Sequence, residues 1–118
     1  MDYKTKIKDL VEGIRKDVQT LGIFVFQGVG DIDELRHCFV RSYEAAVSGL
    51  KIYEEAFPGQ NLGAPVTLCG DDLDIAPMAA FYKHLKSDDF EPSPFDVQCY
   101  REYSMTLNHI FIALQQAG

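Results

Sequence analysis

Apolar residues recur every three and four positions through most of this 118-residue sequence, and that period commits it to amphipathic helices. Tyr3, Ile7, Leu10, Ile14, Val18 and Leu21 fall on one side of a predicted helix from Tyr3 to Leu21, and Val11 widens the stripe. Lys8, Glu12, Arg15 and Gln19 occupy the opposite side. Gly22 follows the last periodic residue and is expected to cap this helix. A second stripe runs through Ile32, Leu35, Phe39, Tyr43, Ala46, Leu50, Tyr53 and Phe57. Asp31 precedes it as N-cap, Glu34 completes an acidic variant of the capping box, and Pro58-Gly59 ends it.

Two further helices follow. A shorter one is expected over about Asp74 to Lys86, with Ile75, Met78, Tyr82 and Leu85 facing inward. Pro77 fits its first turn, where the missing N–H would have no helical partner. The last helix has the clearest start: Ser93 caps it, Pro94 takes the first position, and Asp96 stands where a capping-box acid belongs. Its stripe is Tyr100, Tyr103, Leu107, Ile110, Phe111 and Leu114.

Two glycine-bounded runs, residues 23–26 and 65–69, are β-prone instead. We read them as apolar linkers plugged into the core, with a short pairing between them as the alternative. The expected architecture is a single all-α domain over residues 1–118: a bundle of about four helices with at most a minimal two-stranded β element.

Charge narrows the function classes. The net charge is −7, so attraction to phosphate backbones or anionic membranes is disfavoured, and neither nucleic acid nor membrane is an expected partner. Residues 1–21 hold five basic against four acidic residues, which leaves the acidity to the rest of the chain. A basic protein partner, or docking of the first helix onto its own chain, would use that asymmetry; a solvated pattern without function is the plainer reading. No stretch is long and apolar enough to span a bilayer, and the start lacks an apolar leader core. Cys38, Cys69 and Cys99 form no paired-cysteine motif, so they read as small buried hydrophobes with reduced thiols in a cytoplasmic protein.

The catalytic and ligand-binding patterns each meet a physical objection. Glu34-Leu35-Arg36-His37 has the glutamate–histidine spacing of di-iron bundles, but it occurs once and points away from the core stripe. Gly28-Val29-Gly30 resembles a phosphate loop, yet Asp31, Asp33 and Glu34 crowd the helix start where a phosphate would sit. Asp71, Asp72 and Asp74 lack the alternation of a calcium loop. These three, like Asp88, Asp89 and Glu91, stand ahead of a helix, where negative charge is stabilised; an acidic patch for a basic partner is the second reading. His37 and Cys38 diverge by about 100° on a helix and form no dyad. His84 and His109 are expected on outer faces. No catalytic, metal-ligating or cofactor-binding residue is assigned.

One feature resists a purely internal explanation. Met105, His109 and Ile112, with Arg101 and Asn108 beside them, lie on the back of the last helix, opposite its core stripe. Either this helix is central in the bundle, or its back is a partner or homodimer interface that Ile52 could join. The expected function is a non-enzymatic protein-binding module of the small inhibitor, immunity or adaptor type. The alternative is a small enzyme or ligand-binding bundle with a pocket lined by Tyr43, Tyr100 or Tyr103.

Overall fold

A computed structural model describes residues 2–57 and 76–117. The expectations for Pro58-Gly59, the 65–69 run, Cys69, Asp71, Asp72, Asp74 and Ile75 lie outside the described residues. Within them the fold is all-α, with helices α1 (Tyr3–Gly13), α2 (Arg15–Gln27), α3 (Ile32–Ala56), α4 (Ala76–Leu85) and α5 (Pro94–Ala117). The long helices α3 and α5 pack on each other and on both α1 and α2, whereas α4 packs chiefly on α3.

The first predicted helix is two. It breaks at Ile14, whose φ of −115° and ψ of 9° depart from helix, directly after the weak helix former Gly13. The chain then re-enters helix, with Val18 N–H donating to the Ile14 carbonyl. The 23–26 run is neither strand nor linker but part of the C-terminal end of α2, about one turn of it. Leu21 and Phe24 continue the buried stripe at helical spacing, and that burial outweighs the β preference of Ile23, Val25 and Phe26. Gly22 is therefore not the cap. Gly28 is: it adopts φ +69°, and its N–H donates to the Phe24 carbonyl at 2.9 Å.

The other helix starts behave as the residue chemistry dictates. Asp31 Oδ1 accepts from the N–H groups of Asp33 at 2.8 Å and Glu34 at 3.4 Å. At α5, the Ser93 N–H donates back to Asp96 Oδ2 at 3.0 Å, which is the returning half of a capping box.

Aromatic rings from four helices meet in the core. Tyr100 of α5 is fully buried, with Phe81 of α4 at 5.2 Å, Phe39 of α3 at 6.1 Å and Phe24 of α2 at 6.4 Å between ring centroids, all near edge-to-face. Further along, α3 meets α5 at Gly49, where an added Cβ would come within 2.7 Å of Leu114 Cδ1. Two polar ties fix neighbouring elements. Arg41 of α3 forms a two-pronged ion pair with Asp17 of α2, at 2.9 and 2.8 Å. Arg36 Nε donates to the Leu85 carbonyl at the end of α4 at 2.7 Å, and its guanidinium lies over the Phe90 ring.

Candidate functional site

The seam where α5 lies against α1 and α2 carries a series of surface grooves. The one between α2 and α5 has a volume of about 240 Å³ and is lined by Val18, Gly22, Val25 and Phe26 from α2 and by Ser104, Met105, Asn108 and His109 from α5. It shares Val18, Gln19 and Asn108 with a second groove of about 100 Å³, which includes Ile112. That groove in turn shares Val11, Arg15 and Gln115 with a third, of about 310 Å³, along α1. The shared walls make one continuous furrow along α5.

The furrow is mainly apolar in its first two grooves, as polar as apolar in the third along α1, and nearly neutral in charge. Lys8, Glu12 and Arg15 are its formally charged lining residues, two cations against one acid, on a chain of net charge −7. Several of its apolar side chains stand in solvent: Phe26 is 80% exposed, Met105 47% and Ile112 44%. The floor holds one unusual group. Ser104 is buried, and its hydroxyl has no hydrogen-bond partner among the described residues. A buried hydroxyl left unpaired is costly.

The predicted interface residues divide as follows. Met105, Asn108, His109 and Ile112 line the furrow, and Arg101 sits beside it with its guanidinium 5.8 Å from the Phe24 ring centroid. Ile52 is half-buried on α3, packed against the core, and lines none of these grooves. The α2 wall was missed by sequence reasoning because residues 23–26 read as non-helical. The signal that could have found it is Gly22 and Phe26, one helical turn apart on the flank left by the buried Leu21–Phe24 stripe.

Asp88, Asp89 and Glu91 are exposed in the α4–α5 connection, where the Asp89 N–H donates to Ser87 Oγ. They line none of the three grooves. His84 is exposed, on the outer side of α4, and is also tied down: the buried Asp96 carboxylate accepts from its Nε2 at 3.2 Å, and its ring packs on Phe90. This pair links the C-terminus of α4 to the N-terminus of α5, where the Asp96 carboxylate stands at the helix end that favours negative charge. His37 is exposed, its Nδ1 2.8 Å from the Asp33 carbonyl.

The tyrosines considered as a pocket lining are spent on packing. Tyr100 fills the aromatic core and Tyr43 stacks on Tyr82 at 4.4 Å. Tyr103 packs on Phe81 at 5.7 Å. Cys38 and Cys99 are buried free thiols; burial pushes the Cys38 thiol up to about 11, away from nucleophilic chemistry. Among the described residues no group of three or more histidines, cysteines or acids is placed to hold a metal, and no helix is long and apolar enough to cross a membrane. Compared with protein families, curated proteins and solved structures, the chain matches none.

Proposed function

We propose that this chain is a non-enzymatic protein-binding module, and that the α5 furrow holds the apolar face of an amphipathic helix. The observation that carries this reading is the line of exposed Phe26, Met105 and Ile112 along one continuous furrow. Covering such side chains contributes on the order of 1–2 kcal/mol each, which gives them a reason to be grouped. The furrow's size also discriminates. Its three grooves, of about 100, 240 and 310 Å³, reach only the low end of the roughly 300–1,000 Å³ range of small-molecule sites and lie open along α5, so they suit inserted side chains better than an enclosed cofactor. A helix laid in a groove inserts side chains every three to four residues, which suits a segmented furrow.

The neutral rim specifies the chemistry of that helix. With no run of acidic residues along the furrow, a strongly basic contact face gains nothing there. A basic partner would instead meet Asp88, Asp89 and Glu91. Inhibitor, immunity and adaptor roles all fit a module of this kind.

The reading is tested by capturing proteins on wild-type and Met105→Asp chains under identical conditions. The expected result is protein retained by wild type, untagged copies of the chain included, and lost from the variant. Equal retention by both would contradict the furrow as the docking surface.

A further inference from the structure

Charge is graded along the furrow. Its first groove, between α2 and α5, has no formally charged lining residue. The second adds Arg15, and the third is lined by Lys8 and Arg15 against Glu12. These three side chains are exposed. The ion pairs among the described residues are Arg41–Asp17 and His84–Asp96, so neither Lys8 nor Arg15 is committed to a carboxylate there.

The sequence carries the same asymmetry. Residues 1–21 hold five basic and four acidic residues, and one of those acids, Asp17, is taken up by Arg41 of α3. Five cations then stand against three acids, on a chain whose net charge is −7. The third groove opens on this basic stretch.

We propose that the helix held by the furrow is apolar where it meets the α2–α5 groove and acidic where it meets α1, with an aspartate or glutamate set against Lys8 and Arg15. The inference rests on the docking reading above and names the chemistry of the partner. The grooves follow α5 from Ser104 to Gln115, which at 1.5 Å per residue is roughly 17 Å. A partner helix of about three turns spans that length. Its residues i, i+4, i+7 and i+11 share one face, so three of them are apolar and an end one is the acid.

The net charge of the chain does not forbid this contact. At physiological ionic strength charges more than about 8 Å apart are largely screened, so an acid in the third groove responds to the cations that line it. In the first groove the same acid would leave water for apolar side chains, which is costly. Arg101, beside that groove, lies over the Phe24 ring and lines none of the three. The gradient therefore fixes which way round the partner lies.

The test is selection from a displayed library of helical peptides, randomised at positions i, i+4, i+7 and i+11, on the full chain and its variants. On wild type, apolar residues should be enriched at three positions and aspartate or glutamate at one end. Replacing that acid by glutamine in the selected peptide should weaken binding by about two- to fivefold in fluorescence anisotropy, a difference lost in about 1 M salt. Lys8→Glu/Arg15→Glu should select lysine or arginine at that end, and the milder Lys8→Gln/Arg15→Gln should show no acidic preference, both at unchanged helicity. No acidic preference on wild type, or one that survives either double variant, would overturn the inference. If apolar enrichment is lost on Met105→Asp but no acid is selected on wild type, the docking reading stands and only the acidic end fails. No enrichment over Met105→Asp at any position contradicts both. A wild type that sediments at twice its 13.3 kDa mass, and as a single chain once Met105→Asp is made, would put a second copy in the furrow and overturn the acidic helix.

Discussion

Asp17 shows most clearly how one side chain works against its surroundings. It lies nearly buried on α2, and the two hydrogen bonds from Arg41 outweigh its burial and hold its carboxyl below the ordinary 3.8. A lowered folded-state value means stability that is complete above the unfolded-state value and is lost as pH falls through the folded one. Arg41→Met should therefore cost about 1–2 kcal/mol at neutral pH, a modest figure because the guanidinium is half exposed. The gap from wild type should close as pH falls below about 4. Urea titrations from pH 7 to pH 2.5 would check it; a gap independent of pH would show that packing, and not the charge pair, sets the cost.

Two glycines make an opposed pair at the same scale. Gly49 has no room for a methyl group, since Leu114 Cδ1 would lie 2.7 Å from the new Cβ and Leu114 is itself fully buried. Gly49→Ala should destabilise by about 1–2 kcal/mol despite the gain in helix propensity. Gly22→Ala meets nothing within 4 Å and should stabilise the monomer by about 0.5–1 kcal/mol. Thermal unfolding at low protein concentration would show the two shifts with opposite signs.

Among elements, the helix ends are the most sharply specified. Asp31→Ala should cost about 1 kcal/mol through loss of the α3 cap. Asp96→Ala should cost more, about 2 kcal/mol, because that buried carboxylate serves the Ser93 N–H and His84 together. Chemical denaturation of the two variants would rank them. The caps at Asp31 and Asp96 were legible in the sequence because these side chains act on backbone groups two or three residues away. The core stripes of α1, α3 and α5 were legible for the same local reason. The extent of α2 was not. Gly22 and the β-prone residues after it point one way locally, and only the packing of Leu21 and Phe24 against α3 and α5 reverses them. The ties between distant residues, Asp17 to Arg41 and Arg36 to the Leu85 carbonyl, leave no periodic trace in a sequence.

For the whole molecule, the back of α5 was half visible in advance. Met105 and Ile112 stand seven residues apart on the wrong side of an amphipathic helix, which marks a second contact face but not what meets it. The bundle supplies the other wall: α2 covers part of that face, leaving a furrow with Phe26 at its rim instead of a closed helix–helix contact. Electrostatics agrees with the shape, because the furrow is the nearly neutral strip of an acidic protein. Of the tyrosines that could have lined a ligand pocket, Tyr100 is in the core and Tyr43 and Tyr103 pack against it.

The docking account is tested most directly at Ile112, which lines the furrow and is 44% exposed. Ile112→Asp would be compared with wild type for the protein it retains, copies of itself included, with far-UV circular dichroism on the same samples. The expected result is undiminished helicity with association lowered at least tenfold. A variant that unfolds would place Ile112 in the core, and one that associates as wild type does would move the interface elsewhere; either contradicts the account.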